Sequence, residues 1–174
     1  MATFVAFLRA VNVTGTGKLL MDDLRRICAK CGFTEVRTYI ASGNVVFSSR
    51  LDEVKAKATL EAALLKKMKK PCQVVVRTAA ELEATLKANP YPEAEPNRCL
   101  VLFLDDAPAK TAKDALRTWK IPGKERMELR GRELFLHFPD GQGQSKLKVP
   151  FMDVGTGRNI NTIRAVLTMA RGGD

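Results

Sequence analysis

The order in which two hydrophobic periods follow one another over residues 1–77 constrains this 174-residue chain more than any other feature. Residues 3–11 are rich in β-branched and aromatic side chains and read as a strand, followed by a Gly/Thr loop over 12–17. Leu20, Leu24, Ile27, Cys28 and Cys31 then recur at the spacing of one helical stripe. That stripe predicts a helix over 21–31, with Asp22 and Asp23 near its start and Gly32 as its C-terminal cap. Residues 36–41 and 44–48 read as two strands joined by a tight turn at Ser42-Gly43. A long helix over 51–68, with Val54, Ala58, Leu65 and Met68 on its apolar face, is stopped before Pro71, and residues 72–77 supply a fourth strand.

The order strand, helix, strand, strand, helix, strand is that of a ferredoxin-like lobe, an antiparallel sheet with two helices on one face. A helix over 78–88 follows, stopped by Asn89-Pro90-Tyr91-Pro92, and residues 93–97 read as a connecting loop. The pattern then partly repeats, with a strand over 98–104, a helix over 109–119 and a hairpin of 127–130 with 133–138 around Gly131. After a turn-rich loop at 139–143, a short helix is expected over 145–152 and a final one over 159–171, with no last strand evident. The expected architecture is therefore α+β: a ferredoxin-like lobe over 1–77, a helix and linker over 78–97, and a related βαββ-plus-helices lobe over 98–174.

Composition narrows the function classes. No apolar run approaches the roughly 18 residues of a membrane span, and the one near the start is cut by Arg9, so a cytoplasmic chain is expected. Net charge is +10, concentrated in residues 1–88, where 15 basic side chains face 8 acidic ones. That field favours anionic partners. Cys28 and Cys31 form a CxxC pair, but at the end of a helix rather than at its start, and Cys72 and Cys99 stand far apart. All four read as core thiols, and with His137 the single histidine, neither a metal centre nor a cofactor is implied.

Two tracts share a Gly-Thr-Gly-basic form ahead of a helical pattern: Asn12 to Lys18 and Gly155 to Asn159. Backbone N–H groups in such loops can gather around an anion. The first is not a P-loop, because Asn12 stands where glycine is required and Leu19 where Ser or Thr is. An RNA-recognition surface is disfavoured as well, since Asn44 and Val46 occupy positions where stacking rings would sit. The run Lys66 to Lys70 reads as a helix end, and Asp105-Asp106 as a turn before Pro108. No nucleophile with an assignable base emerges, and whether the chain is an enzyme stays open.

Several tracts together resemble a known bacterial family. They are Leu8 to Val13 with Lys18 and Met21, Gly32-Phe33, Val36 to Phe47, Val75 to Thr78, Asn89-Pro90, Pro139-Asp140-Gly141, Ser145-Lys146-Leu147 and Arg158 to Thr162. In this order they resemble the family catalogued as domain of unknown function 1697. The resemblance implies a two-lobed α+β fold with a ferredoxin-like first lobe, and brings no established activity. This chain departs from the family pattern at Ala10 and Thr14, where glycine is usual, and at Ile160, where tryptophan is.

The motif residues that the resemblance singles out are mostly polar. The leading expectation is a binding module for an anionic, phosphate-bearing small molecule in a cleft between the lobes. Arg9, Lys18 and Arg158 would supply charge, and Asn12, Ser42, Asn44, Lys146, Asn159 and Asn161 would complete the ligand set. Salt-dependent, sequence-independent nucleic-acid binding by the basic first half is the alternative. A transferase or hydrolase using the same cleft is a third reading, and helix capping by these Asn and Arg residues is the purely structural one. The oligomeric state is left open.

Overall fold

The computed structural model describes residues 1–13 and 18–174. Over these residues the chain is a mixed α/β protein with two four-stranded antiparallel sheets and five α-helices. Packing divides it into two units, Met1–Glu83 with Arg164–Asp174, and Ala84–Ile163.

The first unit runs β1 (Ala2–Leu8), α1 (Met21–Lys30), β2 (Thr34–Tyr39), β3 (Asn44–Ser49), α2 (Glu53–Met68) and β4 (Val74–Thr78), with strand order β2-β3-β1-β4. Strand β1 is central, pairing Phe4 with Phe47 of β3 and Ala6 with Val76 of β4. Alternation sends Phe4, Ala6 and Leu8 to one face, where they meet Leu24 and Cys28 of α1 and Leu60 and Leu64 of α2. Phe33 stacks on Phe47 with ring centroids 4.2 Å apart. Each large side chain buried here contributes about 1.5–3 kcal/mol.

Two sequence expectations are corrected in this unit. Helix α2 turns Ala56, Leu60 and Leu64 to the core, whereas Val54, Ala58 and Leu65 of the expected stripe are exposed and Met68 is half-buried. An even spread of Ala and Leu around this helix left several faces equally apolar on paper. Strand β1 also stops at Leu8, because Ala10 and Asn12 adopt left-handed backbone angles that a strand cannot continue through.

Helix α3 (Ala79–Lys87) opens with a reciprocal cap: Glu81 accepts the Thr78 N–H at 2.7 Å, and Thr78 Oγ1 accepts the Glu81 N–H at 3.2 Å. The second unit follows with β5 (Cys99–Phe103), α4 (Lys110–Leu116), β6 (Arg126–Arg130), β7 (Glu133–His137) and β8 (Thr156–Asn159), in strand order β6-β7-β5-β8. Helix α5 (Ile160–Ala170) continues from β8, and its residues from Arg164 onward group with the first unit.

The expected helix over 145–152 does not form. A 3-10 turn at Gln142–Gln144 leads into a stretch in which Leu147, Val149 and Phe151 pack against the cluster of Leu102, Leu104, Leu134 and Leu136. These three alternate with the exposed Lys146 and Lys148, a period of two that suits extended backbone, and Pro150 lacks the N–H a helix would need. The unexpected strand is β8, which pairs with β5 through Leu102 opposite Gly157. Gly155 lets it enter, since a Cβ there would lie 2.8 Å from Leu102 and 3.0 Å from the Phe103 carbonyl oxygen.

Candidate functional site

Three non-glycine residues with left-handed backbone cluster in the sequence neighbourhoods that follow β1 and β2: Ala10 (φ 54°), Asn12 (φ 55°) and Ile40 (φ 47°). Asparagine tolerates this region and alanine tolerates it at a cost, but a β-branched residue there is an outlier. Side chains then fix the loops. Asn12 Oδ1 accepts the Leu19 N–H at 2.7 Å, and its Nδ2 donates to the carbonyl oxygens of Leu19 and Ala41 at 2.7 and 2.8 Å. One amide thus joins the two ends of its own loop to the β2–β3 turn. Asn44, fully buried, donates through Nδ2 to the Tyr39 carbonyl at 2.8 Å and to Ser42 Oγ at 3.0 Å, closing that turn from inside. Gly43 is required there, because at φ 88° it brings its backbone so close that a Cβ would lie 2.6 Å from Val11 Cγ2.

A cavity of about 600 Å³ opens beside these loops, lined by Asn12, Val13, Lys18, Leu20, Met21 and Ala41. Its lining is partly apolar and solvent-exposed: Val13 and Leu20 keep 53 and 50% of their accessible surface, and Ile40, the chain neighbour of the lining residue Ala41 though not itself part of the lining, keeps 52%. Leu20 occupies the N-cap position of α1 and offers no side-chain bond to the helix start, so the positive end of that helix meets the cavity uncapped by any side chain of its N-cap residue. Lys18 is exposed at the same place. This combination can hold an apolar body with an anionic group beside it.

The expected ligand set is distributed between the units. In the first, Asn12 and Lys18 share the cavity, Ser42 and Asn44 bond each other in the turn, and Arg9 is half-buried after β1 with its backbone N–H donating to the Gln73 carbonyl at 2.9 Å. In the second, Lys146 is exposed and lines a separate cavity with Trp119. Arg158 is buried on β8, donating to Thr156 Oγ1 and the Gly157 carbonyl at 2.8 Å each, and burial pulls its guanidinium down to about 10, still protonated at neutral pH. Asn159 caps α5, accepting the Thr162 N–H at 2.9 Å, and Asn161 is exposed in the first turn.

The second glycine-rich tract is not a loop. Thr156–Asn159 forms β8, an extended edge strand paired on one side with β5, and extended backbone does not turn successive N–H groups into the concave nest expected ahead of α5. The centre of the first tract, Thr14, Gly15, Thr16 and Gly17, lies outside the described residues. The sequence reading overlooked Leu20, Val13 and Ile40. A visible signal existed for one of them: Leu19-Leu20 stand where Ser, Thr, Asp or Asn would normally start a helix.

The cysteines are free thiols, and burial, reinforced by Cys31, pushes Cys28 up to about 12; burial raises Cys31, Cys72 and Cys99 as well. Among the described residues no group of His, Cys, Asp and Glu is arranged to hold a metal ion, and no helix is long and apolar enough to cross a membrane. His137 is engaged on β7, where its Nδ1 accepts from Arg126 Nε at 3.2 Å while the Arg126 guanidinium lies 4.3 Å over the Tyr91 ring.

A search of curated proteins gave no match. Among solved structures the chain is similar to the conserved bacterial protein SP0830 from Streptococcus pneumoniae, at 22% identity and a TM-score of 0.80, covering 97% of this chain and 98% of that one. This likeness concerns the fold. The model of a protein family of unknown function, DUF1697, matches residues 1–135, and the chain belongs to that family.

Proposed function

We propose that this protein is a binding module for a small molecule with an apolar body and an anionic group, taken up in the cavity beside Lys18. Ile40 carries the reading. A β-branched residue in left-handed backbone costs about 1–3 kcal/mol, and at 52% exposure its side chain recovers little of that by burial. Core packing therefore gives no reason for the strain, whereas a ligand seated on Val13 and Leu20 and reaching past the lining residue Ala41 to its neighbour Ile40 does. The start of α1, to which its N-cap residue Leu20 offers no side-chain bond, and the Lys18 ammonium supply the complement to an anion, and Asn12 holds the surrounding loops in register.

The first unit is read as ferredoxin-like on its βαββαβ order, its strand order β2-β3-β1-β4 and the packing of α1 and α2 against one face. The second unit is read as a relative in which the extended segment through Leu147, Val149 and Phe151 covers the sheet in place of a second helix.

Thermal unfolding against a panel of acyl, aryl and sugar phosphates and carboxylates tests the function. A ligand at about a hundred times its Kd adds roughly 2.7 kcal/mol, a shift of several degrees. The shift is expected to shrink in Lys18→Glu and to vanish in a Val13→Asp/Leu20→Asp double variant. No shift with any amphipathic anion, or a shift that both variants retain, overturns the reading.

A further inference from the structure

Trp119 is the only tryptophan in the chain, and it is left 37% exposed in the second unit. Its indole is not loose: Nε1 donates to the Lys148 carbonyl at 2.7 Å, which fixes the ring plane. Around it lies a cavity of about 440 Å³ lined by Lys120, Pro122, Lys146 and Lys148. Among the described residues none of these three lysines is ion-paired, and Lys124 nearby in sequence is likewise exposed. An indole would ordinarily be covered, and three exposed lysines lining one cavity give it a positive field that an anion would complement.

We infer that this face binds single-stranded nucleic acid, with a base stacked on Trp119 and successive phosphates held by Lys120, Lys146 and Lys148. A pinned aromatic face beside unpaired cations is what base stacking and backbone neutralisation require, and neither depends on sequence. Charge chooses a strand over a free nucleotide. One phosphate monoester cannot match three cavity lysines with Lys124 close by in the chain, whereas a strand brings one charge per nucleotide. This cavity shares no lining residue with the Lys18 cavity.

Because Trp119 is unique, its emission reports this site alone. The full chain is titrated with a short oligouridylate and a short oligothymidylate at low and at physiological salt, with fluorescein anisotropy of the labelled strand as a second readout. Quenching is expected, with log affinity falling against log salt at a slope of about −2 for three phosphate contacts. Trp119→Leu should weaken the anisotropy-detected binding about fivefold to a hundredfold. Lys146→Glu/Lys148→Glu, at two exposed positions that leave the reporter in place, should weaken it further and flatten the salt slope. Absence of quenching and of anisotropy change at low salt overturns the inference, as does binding that both variants retain in full. Equal quenching by a nucleoside monophosphate at the same affinity also overturns it, in favour of a free nucleotide.

Discussion

Glu61 accepts the backbone N–H of Val74 at 2.8 Å, while Lys57, one helical turn earlier and ion-paired to Glu61, donates to the Val74 carbonyl at 2.7 Å. Strand β4 is an edge of its sheet, and these two α2 side chains satisfy both outward backbone groups of Val74 as a neighbouring strand would. Glu61→Ala should cost about 1–3 kcal/mol by leaving the Val74 N–H without its acceptor and removing the carboxylate that Lys57 pairs with. Urea unfolding measures the loss, and light scattering at high protein concentration should show increased self-association. Unchanged stability would mean that water replaces the carboxylate freely.

The strain at Ile40 can be measured directly. Glycine enters the left-handed region without a Cβ penalty, so Ile40→Gly should raise stability, by about 1 kcal/mol once its greater unfolded-state entropy is counted. A destabilised variant would show that Ile40 makes compensating contacts, and would remove the main support for the Lys18 cavity as a binding site.

His137 should make stability depend on pH in one direction. Burial first, then the Arg126 charge, holds its imidazole below the ordinary value, with Glu93 opposing. A group depressed on folding favours the neutral form, so its contribution is complete above the unfolded value of about 6.5 and is lost as pH falls through the folded one. The site is partly solvated, which keeps the effect under about 1 kcal/mol. Denaturant midpoints for the wild type should decline from pH 7 to 5 more steeply than for His137→Gln; parallel profiles would rule the linkage out.

How much of this was legible in the sequence follows from which forces act locally. The first six elements were readable because β1 and β3 are short β-branched and aromatic runs bounded by turn residues, α1 carries a clean helical stripe, and Gly43 marks a turn that only glycine can make. The extended segment around Leu147 was misread as helical although its alternation with lysines was present, and β8 was hidden because Thr156-Gly157-Arg158-Asn159 has neither β-branched density nor alternation of hydrophobicity. Its strand character comes from β5, a long-range partner. For the candidate site, Asn12 and Lys18 could be named from their motif, but the angle at Ile40 and the exposure of Trp119 are tertiary properties with no local signature.

On β2, Arg37 donates to the carbonyl oxygens of Met169 and Gly173, the latter at 2.8 Å, holding the final turn of α5 against the first sheet's unit. In a chain synthesised from its N-terminus, this guanidinium therefore waits for partners that leave the ribosome only after the whole of residues 84–163. At about 5–20 residues per second that delay is on the order of 5–25 s. The second unit has every residue available before the first can be completed, so the order of synthesis and the order of completion run in opposite directions.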